Sequence, residues 1–165
     1  MNTGNKSNFE RMIEMAQQVF NMKDDFNQLQ VDESVIQKLI ALHPSSVVEI
    51  NYGNGPVLWL LIIPTQTEIM KRFINGNINE SEIFSETENT KPFTTIYLCS
   101  IMVLEEYRNK GLAFKTSINA IQSIKESNPI ESLFVWPFTA EGKLLAEKIA
   151  THLSLKIFFK NNKAR

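Results

Sequence analysis

The 165-residue sequence predicts an α/β domain built on a mixed central sheet, antiparallel in its N-terminal half, parallel in its C-terminal half and flanked by helices. Two β-rich runs, residues 46–52 and 57–63, are joined by Gly53-Asn54-Gly55-Pro56, a hairpin signal that makes the strands on either side antiparallel. From Thr94 onward strand-like and helix-like stretches alternate, and strands joined through a helix run parallel. The 57–63 run is apolar at every position, as suits an interior strand covered on both faces.

The elements follow in order. Ser7-Asn8-Phe9-Glu10 has the form of a capping box, and Phe9, Met12, Ile13, Ala16, Val19 and Phe20 recur at helical spacing. Asp32 caps a second helix with Val35, Ile36, Leu39 and Ile40 on one face. That helix stops near His43-Pro44, because a residue before proline avoids helical angles. After the hairpin, residues 65–92 form an insertion ahead of the next strand. Ile69, Met70, Phe73 and Ile74 make one helical stripe there, ending near Gly76, and an acidic, irregular segment is expected to follow. Residues 94–103 return to strand, and 112–127 form a helix with Ile118, Ile121 and Ile124 inward. A strand at 133–136, a helix at 140–153 carrying Leu144, Leu145, Ile149 and Leu153, and a last strand at 154–160 complete the domain.

The length suits a single domain over 1–165. With 17 Lys plus Arg against 18 Asp plus Glu the net charge is −1, so no global field favours nucleic acid or an anionic membrane surface. No apolar run reaches the length of a membrane span, and the N-terminus lacks the apolar core of a signal peptide, so a cytoplasmic location is expected. The lone Cys99 cannot form an internal disulfide. No His/Cys cluster has metal-ligand spacing, so no metal is expected.

Between residues 103 and 113 the chain reads Val-Leu-Glu-Glu-Tyr-Arg-Asn-Lys-Gly-Leu-Ala, after the apolar Ile101-Met102-Val103 and before a helical period. A chain leaving a strand here must turn sharply, and Gly111 takes backbone angles that a side chain forbids while letting a ligand approach the main chain. The following helix offers open N–H groups and a partial positive charge to an anion. Arg108 and Lys110 add cationic side chains to the same turn. The plain alternative is an ordinary strand-to-helix turn with solvated charges.

The pattern Val103-x-x-x-x-Arg108-x-x-Gly111-x-Ala113, in that strand-turn-helix setting, resembles the acyl-CoA-binding motif of the GNAT superfamily of N-acetyltransferases. In that family Arg-x-x-Gly-x-Gly/Ala wraps the pyrophosphate of coenzyme A. The resemblance implies a GNAT-like sheet with a helical insertion before the cofactor-binding strand. It also implies acetyl-CoA as cofactor and transfer of an acetyl group to a primary amine of a small-molecule or peptide acceptor, by direct attack in a ternary complex. By the same resemblance the 94–103 strand splays from the 133–136 strand. Ile101, Met102 and Val103 then present main-chain groups to the pantetheine arm, and Arg108, Asn109, Lys110, Gly111, Leu112, Ala113 and Phe114 hold the pyrophosphate. A second stretch, Val135-x-x-x-Thr139-x-x-Gly142-x-x-Leu145-Ala146-Glu147-Lys148-Ile149-Ala150, is similar to the family's next strand-then-helix segment. Thr139 stands where the family has Asn and offers the cofactor a hydroxyl, and Ala146 stands where a Tyr often protonates the leaving thiolate.

The chemistry so implied needs a proton taken from the amine and one given to the thiolate. Tyr97 occupies the position at which many members carry a basic carboxylate. A phenol with an ordinary pKa near ~10 is a poor base at neutral pH but can donate to the departing thiolate, the alternative being a sheet-edge aromatic. Glu49, alternating with Val48 and Ile50, is a candidate base from the neighbouring strand, against the reading of a solvent-facing glutamate. Cys99 reads as a small core residue, and His43 and His152 as helix-end residues. Trp136-Pro137-Phe138 closes a strand where open α/β sheets place ligands, as an acceptor wall or an edge plug. The stripe at 69–74 needs a partner, and the acceptor face of the sheet, a second copy in a homodimer and the domain's own core all fit. Because Ala146 cannot donate a proton, a second function stays open: an acyl-CoA-binding sensor or interaction module without turnover.

Overall fold

In the computed structural model, which describes residues 6–22 and 32–161, the chain forms α1 (Asn8–Met22), α2 (Glu33–Leu42), a 3-10 turn (Pro44–Ser46), β1 (Val47–Tyr52), β2 (Gly55–Thr65), α3 (Thr67–Ile74) and α4 (Glu80–Glu86). It continues as β3 (Thr95–Val103), a second 3-10 turn (Glu105–Tyr107), α5 (Leu112–Lys125), β4 (Ser132–Val135), α6 (Ala140–Leu153) and β5 (Lys156–Phe159). The strands lie in the order β1-β2-β3-β4-β5. The β1–β2 and β2–β3 pairs are antiparallel and the β3–β4 and β4–β5 pairs parallel, so the fold is α/β with a mixed sheet. Among the described residues no helix is long and apolar enough to cross a membrane. The side chains of Val19 and Phe20, like residues 1–5 and 162–165, lie outside the described residues.

Local chemistry sets the helix starts. Ser7 N–H donates to the Glu10 carboxylate at 2.8 Å and Glu10 N–H donates to Ser7 Oγ at 3.2 Å, the reciprocal pair of a capping box. The Asp32 carboxylate accepts from Val35 N–H at 2.9 Å, satisfying one open donor of α2. Strand alternation then divides the interior in two. Leu60, Ile62, Ile96 and Leu133 point into a core completed by Met12 of α1, Ile118, Ile121 and Ile124 of α5 and Ile149 of α6. Ile63, Tyr97 and Phe134 point into a second core with Leu39 of α2, Ile69, Met70 and Phe73 of α3 and Ile83 of α4.

The insertion differs from expectation in its acidic half. Its acidic half is not irregular: Asn79 and Glu82 form a capping box, at 2.9 Å and 2.7 Å, that starts α4 and turns the fully buried Ile83 inward. The stripe of α3 is covered by the domain's own core, so it offers no argument for a second copy of the chain.

The sheet opens between β3 and β4. Their pairing is limited to Thr95↔Ser132, Ile96↔Leu133 and Tyr97↔Phe134, although β3 runs on to Val103. On its other side β3 stays with β2, but the register slips from Leu61↔Ser100 to Ile62↔Leu98 and leaves Cys99 as an extra residue. Such a bulge bends a strand and sharpens its twist. Beyond Tyr97, β3 pairs with β2 alone, β4 ending at Val135, one residue past its last pair.

Candidate functional site

The end of β3 is pinned by Leu104 N–H, which donates to Val57 O at 2.9 Å. Past the 3-10 turn the backbone takes left-handed angles at Asn109 (φ 60°) and again at Gly111 (φ 76°). A β-carbon at Gly111 would meet nothing within 4 Å, so the missing side chain borders open space. Helix α5 begins at Leu112 with no side-chain cap. Its first backbone bond runs from Lys115 N–H to Gly111 O at 3.0 Å. Among the described residues the N–H groups of Leu112, Ala113 and Phe114 have no protein acceptor, so they face the opening with the positive end of the helix dipole.

A groove of about 1270 Å³ opens at this turn. Ile101, Met102 and Val103 of β3 line it, with Arg108, Asn109, Gly111, Leu112, Ala113 and Phe114 of the turn and Thr139 at the start of α6. The structure thus brings the expected cofactor residues to one groove, Lys110 excepted. The Lys110 ammonium instead lies over the Tyr107 ring, 5.7 Å from its centroid. Arg108 folds back along the turn, its Nε donating to Val103 O at 2.9 Å, which gives the five-residue spacing a structural cause. The turn is also tied to α1, where Arg11 donates to both oxygens of Glu106 at 2.6 and 2.7 Å. That hydrogen-bonded guanidinium pulls the Glu106 carboxyl down to about 2. On the far wall Thr139 Oγ1 accepts from Gly142 N–H at 3.0 Å and starts α6.

Other wall residues were not among the expected cofactor residues. Met15 reaches the groove from α1, and Leu145 and His152 from α6, the His152 ring meeting the edge of Phe114 at 5.3 Å. Glu105 and Arg108 line it from the turn, and Glu141, Glu147 and Lys148 from α6, so charges of both signs stand on each wall. The helical period of α6 placed Leu145 on its apolar face. Nothing local in the sequence points Met15 toward a turn nearly a hundred residues away.

The two catalytic candidates lie elsewhere. Tyr97 is 1% exposed in the second core, and its hydroxyl donates to Glu80 at 3.0 Å. Cys99 Sγ lies 3.6 Å from the other oxygen of the same carboxylate. Burial, then the neighbouring Glu80, push the Tyr97 phenol well above its ordinary pKa, so it keeps its proton. Glu80 is the buried acid that sequence reading missed, carried in by the unexpected α4. Glu49 is exposed on β1, with β2 between it and the β3–β4 opening. Its carboxylate accepts from Trp59 Nε1 at 2.7 Å and Asn51 Nδ2 at 3.1 Å. Neither Tyr97 nor Glu49 lines the groove.

His43 caps the end of α2, its Nδ1 accepting from Ser45 N–H at 3.0 Å, and burial lowers its pKa. Trp136 packs edge-on against Phe73, with ring centres 6.2 Å apart, and Phe138 leans on Trp136. No family model, curated protein or solved structure matches this chain.

Proposed function

We propose that the chain is a GNAT-like, acetyl-CoA-dependent N-acyltransferase that moves an acetyl group to a primary amine in a ternary complex, in the cytoplasm. One conjunction supports the reading. A strand that leaves its parallel neighbour after Tyr97 runs directly into a left-handed Gly111 turn and a helix whose first N–H groups are open, and all of these border one groove. The residues present fit the cofactor. Leu112, Ala113 and Phe114 N–H groups suit its diphosphate, Arg108 adds positive charge, and the unpaired edge of β3 at 101–103 suits the amides of its arm. Bound there, acetyl-CoA supplies an acyl group activated as a thioester, which a neutral amine attacks, the amine's proton ending on the released thiol. In this reading the protein holds and orients the partners, and Tyr97, whose hydrogen is committed to Glu80, is not the proton donor.

One observation favours the module without turnover. Ala146 is buried and cannot donate a proton, and the Tyr97 hydroxyl is tied up in the core. Calorimetry with acetyl-CoA, followed by thiol release with a panel of primary amines, decides. The acyltransferase reading expects binding and release that depends on one class of amine. Binding without release selects the module, and absence of binding overturns both.

A further inference from the structure

Trp136 and Phe73 meet where β4 ends, on the flank of the opening away from the anion-binding turn. Phe73 is fully buried, with its ring against Tyr97 at 5.3 Å, Phe134 at 5.9 Å and Trp136 at 6.2 Å. Into this corner reaches Lys160, the first residue beyond β5. Its backbone N–H donates to Val135 O at 3.0 Å, which fixes the lysine beside the strand end that carries Trp136. The ammonium lies 4.3 Å from the Phe73 centroid and 4.8 Å from the Trp136 centroid. Single-ring contacts of this kind are ordinary surface features, as at Lys110 over Tyr107 (5.7 Å) and Lys143 over Phe159 (5.3 Å). Two rings converging on one cation at shorter distance make the geometry by which proteins recognise ammonium ligands. Three residues after Trp136, Thr139 lines the groove. The short link from β4 to α6 therefore carries a residue of the cage at its start and a residue of the groove wall at its end.

We infer that Phe73 and Trp136 form an alkylammonium subsite, held in this structure by the chain's own Lys160, and that the acceptor is a primary amine at the end of a flexible methylene stem, which docks as its ammonium and gives that proton to solvent before it attacks. The acceptor assignment rests on the acyltransferase reading; the ammonium subsite does not. A tethered lysine competes at high effective concentration, so removing its charge should expose the subsite to free ligand.

Titrate wild type, Lys160→Gln and Lys160→Met with n-butylammonium chloride without CoA, following the Trp136 indole N–H by NMR. Both variants should respond at a concentration about tenfold below that of wild type, and n-butanol, which has the stem without the charge, should leave the signal in place. Equal responses in all three proteins, or an equal response to butanol, overturn the subsite. A peptide bearing an internal lysine, titrated in parallel, separates the sources, since a stronger response to it than to butylammonium identifies a protein side chain. CoA binding is measured separately. A chain that binds ammonium but not CoA overturns the acyltransferase reading and the acceptor assignment with it, whereas CoA binding with no effect of Lys160 overturns the subsite alone.

Discussion

Tyr97 and Glu80 meet at 3.0 Å in the interior, a phenol from the middle of the central sheet donating to a carboxylate from the first turn of α4. The contact joins the insertion to the sheet at the last rung before β3 and β4 part. It makes Tyr97 a structural donor, and the hydroxyl should matter to stability.

Tyr97→Phe keeps the ring and removes the donor, leaving a buried carboxylate short of one hydrogen bond. The loss expected is about 1–3 kcal/mol, the penalty for an unsatisfied buried group. Urea denaturation measures it. The acyltransferase rate, where found, should survive the change per folded molecule.

The same phenol gives a pH signature. Its folded pKa is raised above the ordinary value of 10.0. Its contribution is therefore fully present below the unfolded pKa and is lost as pH rises toward the folded one, because the unfolded state then binds fewer protons. Wild type should lose stability more steeply above pH ~10 than Tyr97→Phe does. Parallel slopes in the two proteins would remove the effect.

Phe73 and Ile83 are fully buried, so the insertion belongs to the core. Phe73→Ala should cost about 3–5 kcal/mol, as expected for a large aromatic removed from a packed interior. Replacing 66–90 with a Gly/Ser linker should unfold the second core, seen as loss of near-ultraviolet dichroism and of a cooperative melt. A linker variant that melts like wild type would contradict this placement.

Much of this architecture is legible locally. Gly53-Asn54-Gly55-Pro56 announces the hairpin, and the stripe of Leu145 and Ile149 fixes α6, because turn chemistry and periodicity act over a few residues. The turn at 108–114 reads out for the same reason, its donors being consecutive in the chain. Helix α4 escapes because its seven residues carry only Ile83 and Phe84 as an apolar signal among three glutamates. The Tyr97–Glu80 contact, the bulge at Cys99 and the place of Met15 in the groove wall are tertiary outcomes, set by how separate elements dock.

Gly111→Asp separates fold from site. The left-handed φ of 76° makes any side chain there cost about 1–2 kcal/mol, while the open space around the position means no further clash. The variant should melt slightly below wild type. On the acyltransferase reading its acetyl-CoA affinity should fall far more than its stability, because the new carboxylate would enter the space proposed for the diphosphate. Unchanged affinity by calorimetry would move the site elsewhere.

The central claim, that the open N–H groups after Gly111 receive the diphosphate of coenzyme A, is tested most directly by amide NMR. Titration of the full chain with CoA should shift the Leu112, Ala113 and Phe114 signals furthest, with smaller changes along 101–103 on β3 and at Thr139. Saturable binding that leaves these amides in place, or no binding at millimolar CoA, would contradict the account.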